Sequence, residues 1–245
     1  MSKIISIICV FNNEQQLNSC LVKSLLSQKS KYELILVDGS KGNYPSCASA
    51  LNYGVSKSKG NILIFSHQDV YLKDPDAIEQ FASFIANKPN ETVVGVAGAI
   101  ECHKNNFGNY TSGLMVNNNR VFNVKEPKKV SCIDECFFGM LRSTYEKHPF
   151  DECICDNWHL YAVEQCLYHR EKRGCVYIFP IQIHHLSRGT ISLKYMDGLV
   201  KLTDKYRKSF KFIWTTCYKV PANRVLVRAL RFAWKLNRII RKQNY

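Results

Sequence analysis

Lys59-Gly60-Asn61-Ile62-Leu63-Ile64-Phe65-Ser66-His67-Gln68-Asp69 is the stretch on which the fold turns. The apolar run from Ile62 to Phe65 has no polar face, so it reads as a strand covered on both sides, the kind found in parallel sheets. It opens into Ser66, His67, Gln68 and Asp69, where a parallel sheet places its ligand loops. Upstream the pattern recurs. Residues 4–10 and 33–37 are short apolar runs, and between them Leu17, Leu21, Leu25 and Leu26 fall at helical spacing, which makes a β-α-β unit. A second helix is predicted over 46–57, with Ala48, Leu51 and Val55 on one side. Pro75, between Asp74 and Asp76, starts another helix through Ile85, and 93–100 gives a fourth strand. This alternation predicts an α/β fold with a central, mostly parallel sheet flanked by helices.

Further on, 102–129 is polar and holds the run Asn117-Asn118-Asn119, which predicts an irregular excursion or hairpin over the site. Regularity returns with a strand at 130–133, a helix over 158–173 and a strand over 175–179 ending in Pro180, the run to 183 delivering His184 and His185. The division expected is a catalytic unit over 1–200, with a donor-binding half at 1–100 and an acceptor half at 101–200, and a basic helical extension over 201–245.

A chain of 245 residues with 46% hydrophobic content can bury one sizeable core. The net charge of +14 is uneven: residues 201–245 carry thirteen Lys/Arg and one acid, Asp204, which leaves about +2 for the rest. The basicity belongs to the tail, and a nucleic-acid-binding role for the whole chain is not expected. The first residues read as a strand rather than a signal peptide, since Asn12, Asn13 and Glu14 interrupt the apolar run. Eleven cysteines, an odd number without paired CxxC spacing, fit reduced thiols in a cytoplasmic protein.

His67-x-Asp69 is the sharpest chemical signal. Side chains at i and i+2 of an extended segment point the same way and can share one divalent cation. Taken alone, the same residues read more simply as a polar loop whose aspartate caps the next helix. The series Ile7-Ile8-Cys9-Val10-Phe11-Asn12-Asn13-Glu14, Leu34-Ile35-Leu36-Val37-Asp38-Gly39-Ser40, Ala50-Leu51-Asn52-Tyr53-Gly54 and 59–69 resembles, in order and spacing, the nucleotide-binding half of family 2 glycosyltransferases. The second half resembles the same family in Phe150-Asp151-Glu152, Trp158-His159-Leu160-Tyr161-Ala162-Val163-Glu164 and His185-Leu186-Ser187-Arg188-Gly189-Thr190.

That resemblance implies a GT-A-type, Rossmann-like domain and a metal-dependent, inverting transfer from a nucleotide-diphosphate sugar, a UDP-sugar favoured, to a glycan or glycolipid hydroxyl in surface polysaccharide or glycolipid synthesis. It implies donor and sugar contacts from Phe11, Asn13, Glu14, Asp38, Ser40, Ser66, His67, Asp134 and Arg188, and metal ligands His67, Asp69 and His185, with His184 as the alternative. Histidine in place of the motif's first aspartate makes the set mixed nitrogen and oxygen, which favours Mn2+ over Mg2+. The family's helix carries aspartates where this chain has Ala162 and Glu164, so the base is expected at Glu164 or, second, at Asp156. Two other readings stand beside this one: a nucleotidyltransferase, and an inactive nucleotide-sugar-binding or membrane-associated scaffold.

In the tail, Arg224, Arg228, Arg231, Lys235, Arg238 and Lys242 alternate steps of four and three, while Leu226, Leu230, Phe232, Trp234, Leu236 and Ile239 fill much of the remaining circumference. This C-terminal basic amphipathic helix is too charged to span a bilayer. It is expected to lie over 221–245 on an anionic membrane surface, which places the protein peripherally on the inner face, or to bury its apolar side in a homodimer.

Overall fold

Lys128–Lys129, Cys175–Ile178, Thr92–Gly95, Phe137–Leu141, Ile62–His67, Ile5–Phe11 and Glu33–Asp38 line up in that order as a seven-stranded sheet. Five of these share one direction, and Phe137–Leu141 and Lys128–Lys129 run against them. The structure is a computed structural model that describes residues 3–100, 108–111, 113–115, 121–186 and 191–243.

The apolar run that predicted a doubly covered strand is one. Ile62 and Ile64 pack into the cluster formed with Leu17, Leu21, Phe81 and Ile85, from the helical stretch 14–25 and the helix Ala77–Ala86. Leu63 and Phe65 point the other way, toward Leu51 of helix Cys47–Lys57 and Tyr161, Cys166 and Leu167 of helix Tyr161–Glu171. Each face is therefore closed by helices, as the lack of a polar face requires. Helix Cys47–Lys57 starts where its sequence says, because the Ser46 hydroxyl accepts from the Ser49 N–H at 3.1 Å.

Three expectations change. The strand foreseen over 93–100 breaks at Val96: Thr92–Gly95 stays in the main sheet, and Ala97–Ile100 enters a four-stranded sheet with Cys132–Ile133. The run from 175 also divides, into Cys175–Ile178 and Ile183–His185, the latter pairing antiparallel with Val70–Leu72. A strand not foreseen, Phe137–Leu141, sits in the middle of the main sheet. Gly139 allows it, since a Cβ there would stand 2.6 Å from the Leu63 carbonyl oxygen.

Helix Leu193–Tyr206 runs across the division expected at residue 200, and Ile213, Trp214 and Val220 beyond it are buried in the same cluster as Tyr161 and Leu199. The last helix, Arg224–Gln243, starts at Asn223, whose side chain accepts from the N–H groups of Val225 and Leu226. Part of its cationic stripe faces the body of the protein: Arg231 pairs with Asp197, and Arg224 with Asp204 at 3.1 Å. Val227 is buried, whereas Val225, Leu226, Leu230, Phe232, Leu236 and Ile239 are exposed. No helix among the described residues is long and apolar enough to cross a membrane.

Candidate active site

Register brings the site together. His185 pairs with Val70, so it lies beside the residue that follows Asp69. His185 Nε2 is 3.3 Å from Asp69 Oδ1 and 3.4 Å from His67 Nδ1, and ligand atoms of all three residues fall within 4.8 Å of one another. His67 and His185 are thus joined across a sequence separation of more than a hundred residues by the pairing of two short strands. His184, next along the strand, is turned to the other face and is half-buried.

Burial, and then the neighbouring His185, pull the His67 imidazole down to about 4, against the opposing charge of Asp69. Burial also pulls on His185, but the hydrogen bond and charge of Asp69 prevail and hold it above the ordinary value. His67 is therefore neutral near pH 7, the form in which a ring nitrogen is a ligand. Its Nε2 lies 3.1 Å from the Tyr161 hydroxyl, which fixes the ring and leaves Nδ1 toward the centre. Two ring nitrogens and a carboxylate oxygen suit a borderline divalent cation such as Mn2+. It is the one such His/Cys/Asp/Glu group found among the described residues, and the cysteines among them are all free.

Between His67 and Asp69, Gln68 points the opposite way. Its Oε1 accepts from the Asn12 and Asn13 N–H groups at 2.9 and 3.0 Å, and its Nε2 donates to Asn12 Oδ1 and Gln16 Oε1. The ends of the first and third strands of the sequence are locked together by one amide. The cleft above them has two lobes. One is lined by Phe11, Asn12, Gln16, Gln68 and Asp69, the deeper one by Cys47, Phe65, Ser66, Glu135 and Tyr161, and Val10, His67 and Trp158 border both.

The residues named from the sequence divide. Phe11, Ser66, His67 and Asp69 line the cleft, and His185 adjoins it through Asp69. Asn13 spends its side chain on the N-cap of helix Glu14–Leu17, accepting from Gln16 N–H at 3.0 Å, and Glu14 is exposed on that first turn. Asp38 closes its own turn, accepting from the Ser40 N–H and hydroxyl at 2.9 and 2.5 Å, and these bonds hold its carboxyl below the usual range. The carboxylate of Asp134 accepts from the Cys136 N–H and the Thr216 hydroxyl. Arg188 lies outside the described residues.

Neither expected base borders the cleft. Glu164 is completely buried, and its carboxylate takes hydrogen bonds from Lys205 at 2.7 Å and Tyr206 at 2.6 Å and pairs with His148 at 2.9 Å. Three residues beyond Tyr161 on the helix, it faces Helix Leu193–Tyr206 rather than the site. Asp156 is exposed and pairs with Lys201 at 2.6 Å. Gln68, Glu135, Trp158 and Tyr161 also line the cleft and were not expected there. Trp158 and Tyr161 stood in the quoted motif, and Glu135 stood next to Asp134.

A family model described as "Glycosyltransferase like family" matches residues 6–210. A curated relative, "ATP synthase subunits region ORF 6" of Fuscovulum blasticum, is 27% identical over 187 residues, covering 74% of this chain and 73% of its own. Among solved structures, that of GalNAc-T7 with UDP, GalNAc and Mn2+ superimposes with a TM-score of 0.60 at 13% identity, covering 84% of this chain and 48% of that one. S. aureus TarS in complex with UDP-GlcNAc gives 0.54 at 12% identity, covering 83% and 66%. The chain thus spans about half to two thirds of these structures. With the sheet, the strand-end cleft and a family match over most of its length, the chain belongs to the glycosyltransferase-like family and has a GT-A fold.

Proposed function

We propose that this enzyme moves a sugar from a nucleoside diphosphate donor, a UDP-sugar favoured, to the hydroxyl of a glycan or glycolipid, with inversion at the anomeric carbon. The observation that carries this reading is the grouping of His67, Asp69 and His185 at the mouth of a strand-end cleft. These three side chains would hold a divalent cation, Mn2+ favoured, which supplies charge neutralisation for a diphosphate leaving group. Around it, Tyr161 orients His67, and Gln68 holds the Asn12–Asn13 backbone in place beside the donor. Trp158, 41% exposed and bordering both lobes, offers an aromatic face to a base or a sugar ring. Supporting the choice of donor, the similar structures were solved with UDP, with UDP-GlcNAc, or with UDP, GalNAc and Mn2+.

The test is nucleotide release from a panel of UDP-, GDP-, dTDP- and CDP-sugars with and without Mn2+, with the anomeric configuration of the product read by NMR. Release from one UDP-sugar, dependent on the cation and yielding the inverted product, is the expected result. A retained configuration would overturn the inverting step, and no release from any donor would overturn the transferase reading in favour of a scaffold.

The helix Arg224–Gln243 adds a place of action. Val225, Phe232, Leu236 and Ile239 lie on its outer side, away from buried Val227, and are exposed, with exposed Arg228 and Lys235 along one margin. An apolar face bordered by cations fits an anionic leaflet, so this face is proposed to lie on the inner surface of a membrane, near a lipid-linked or membrane-proximal acceptor. Full-length protein is expected to float with phosphatidylglycerol-containing vesicles and not with phosphatidylcholine alone, and Phe232→Asp/Leu236→Asp to stay behind. Wild type that ignores both vesicles would sink the idea, and concentration-dependent dimers would assign the face to a second copy.

A further inference from the structure

Deprotonation of an acceptor hydroxyl requires a carboxylate that reaches the cleft. Glu164 is sealed in its ion cluster, Asp156 is turned to solvent, Asp69 belongs to the histidine group, and both oxygens of Asp134 are engaged. Glu135 remains. It lines the deeper lobe together with His67, Ser66 and Trp158. Backbone N–H groups of Ala162, Leu160 and Tyr161, at the start of helix Tyr161–Glu171, hydrogen-bond to its carboxyl group, while its buried Oε1 has no hydrogen-bond partner among the described residues.

The local chain explains this reach. Leu160 takes a left-handed φ of 72°, which turns the backbone abruptly into the helix and points its first N–H groups toward the loop that carries Glu135. Ala162, which donates to Glu135, has no carboxylate of its own. An acid delivered from the neighbouring loop occupies the helix start, because the helix's own first-turn acid, Glu164, is turned away to Lys205 and Tyr206.

We propose that Glu135 is the catalytic base of the transfer. The inference rests on the transferase reading above. In the step it performs, the acceptor oxygen forms a bond to the donor's anomeric carbon, the bond from that carbon to the diphosphate oxygen breaks with its electron pair leaving on the diphosphate, and the hydroxyl proton passes to the Glu135 carboxylate. The products are the glycoside, the nucleoside diphosphate and a protonated Glu135, which returns its proton to solvent. The N–H groups at the helix start hold the carboxylate in one orientation at the wall of the lobe. Burial, and then the charge of Asp134, push the Glu135 carboxyl up to about 8, which gives it a proton affinity suited to a base working near neutrality.

The experiment compares wild type, Glu135→Gln and Glu135→Ala in the full chain, measuring Mn2+-dependent UDP binding by calorimetry and transfer by product formation. Glu135→Gln is expected to bind Mn2+ and UDP within about threefold of wild type and to lose about 100-fold or more in kcat. Glu135→Ala, which opens room at the same spot, is expected to regain at least about tenfold of its lost rate on addition of formate. Retention of more than a third of the wild-type kcat in Glu135→Gln would overturn the proposal. So would a loss that only tracks weakened UDP binding, or a Glu135→Ala rate that formate leaves unmoved. Absence of transfer by wild type would overturn the transferase reading as well, which separates the two failures.

Discussion

Asp69→Ala should abolish Mn2+-dependent nucleotide binding and lower kcat/KM at least about 1,000-fold, a loss of about 4 kcal/mol of transition-state stabilisation. Of the three candidate ligands, Asp69 is the one carboxylate, and His67 is held neutral, so its removal leaves a site with no fixed negative charge. The aspartate is 4% exposed, which excludes rescue by a mobile surface acid. Asp69→Asn, which keeps the shape and removes the charge, should fall within about tenfold of alanine. Calorimetric titration with UDP, with and without Mn2+, checks both, and unchanged metal-dependent binding in Asp69→Ala would remove the site from this cluster.

Glu164→Ala should lower thermal stability sharply and leave the cleft intact. The carboxylate sits between Lys205, Tyr206 and His148, and Lys205 also reaches Asp151 at 2.8 Å. Removing one member of a buried ionic group strands its partners, at a cost of about 3–5 kcal/mol. For a chain of this length that corresponds to roughly 10 °C in Tm. Burial alone would push the Glu164 carboxyl up, but His148, Lys205 and Tyr206 more than offset it and hold it below its ordinary value. A depressed carboxylate contributes stability above its unfolded value and loses it as pH falls through the folded one. The gap between wild type and variant should therefore hold at neutral pH and close below about pH 4. A melting series across pH tests this. A full loss of transfer in folded Glu164→Ala, with stability unchanged, would return the base to that helix.

The parts legible in the sequence were those whose physics is local. Ile62–His67 announced itself because four adjacent apolar residues need cover on both faces, and helix Cys47–Lys57 because Ala48, Leu51 and Val55 fall on one side. His67 and Asp69 were legible by their i and i+2 spacing. Glu164 was misplaced because its partners, His148, Lys205 and Tyr206, come from segments as many as 42 residues away, and a helix buried nearly all round has no polar stripe to reveal which side an acid takes. Phe137–Leu141 was missed because Gly139 reads as a breaker, whereas it is the residue that lets the strand approach Leu63. Glu135 was hidden for another reason: its role depends on the backbone of a helix 25 residues downstream.

The reversed strand has a bearing on how the molecule is made. Phe137–Leu141 is wedged between Ile62–His67 and Thr92–Gly95, so Ile62–His67 is paired on its other edge with Ile5–Phe11 but is enclosed only once the ribosome has passed residue 141, and Thr92–Gly95 has no neighbour before then and needs Cys175–Ile178 to be enclosed. The first hundred residues, released alone, would carry two bare apolar edges, open to pairing with another nascent chain. Long-range strand pairing of this kind slows folding. The two halves that the sequence suggests for donor and acceptor share one sheet, in which strands of the first are enclosed by Phe137–Leu141 of the second.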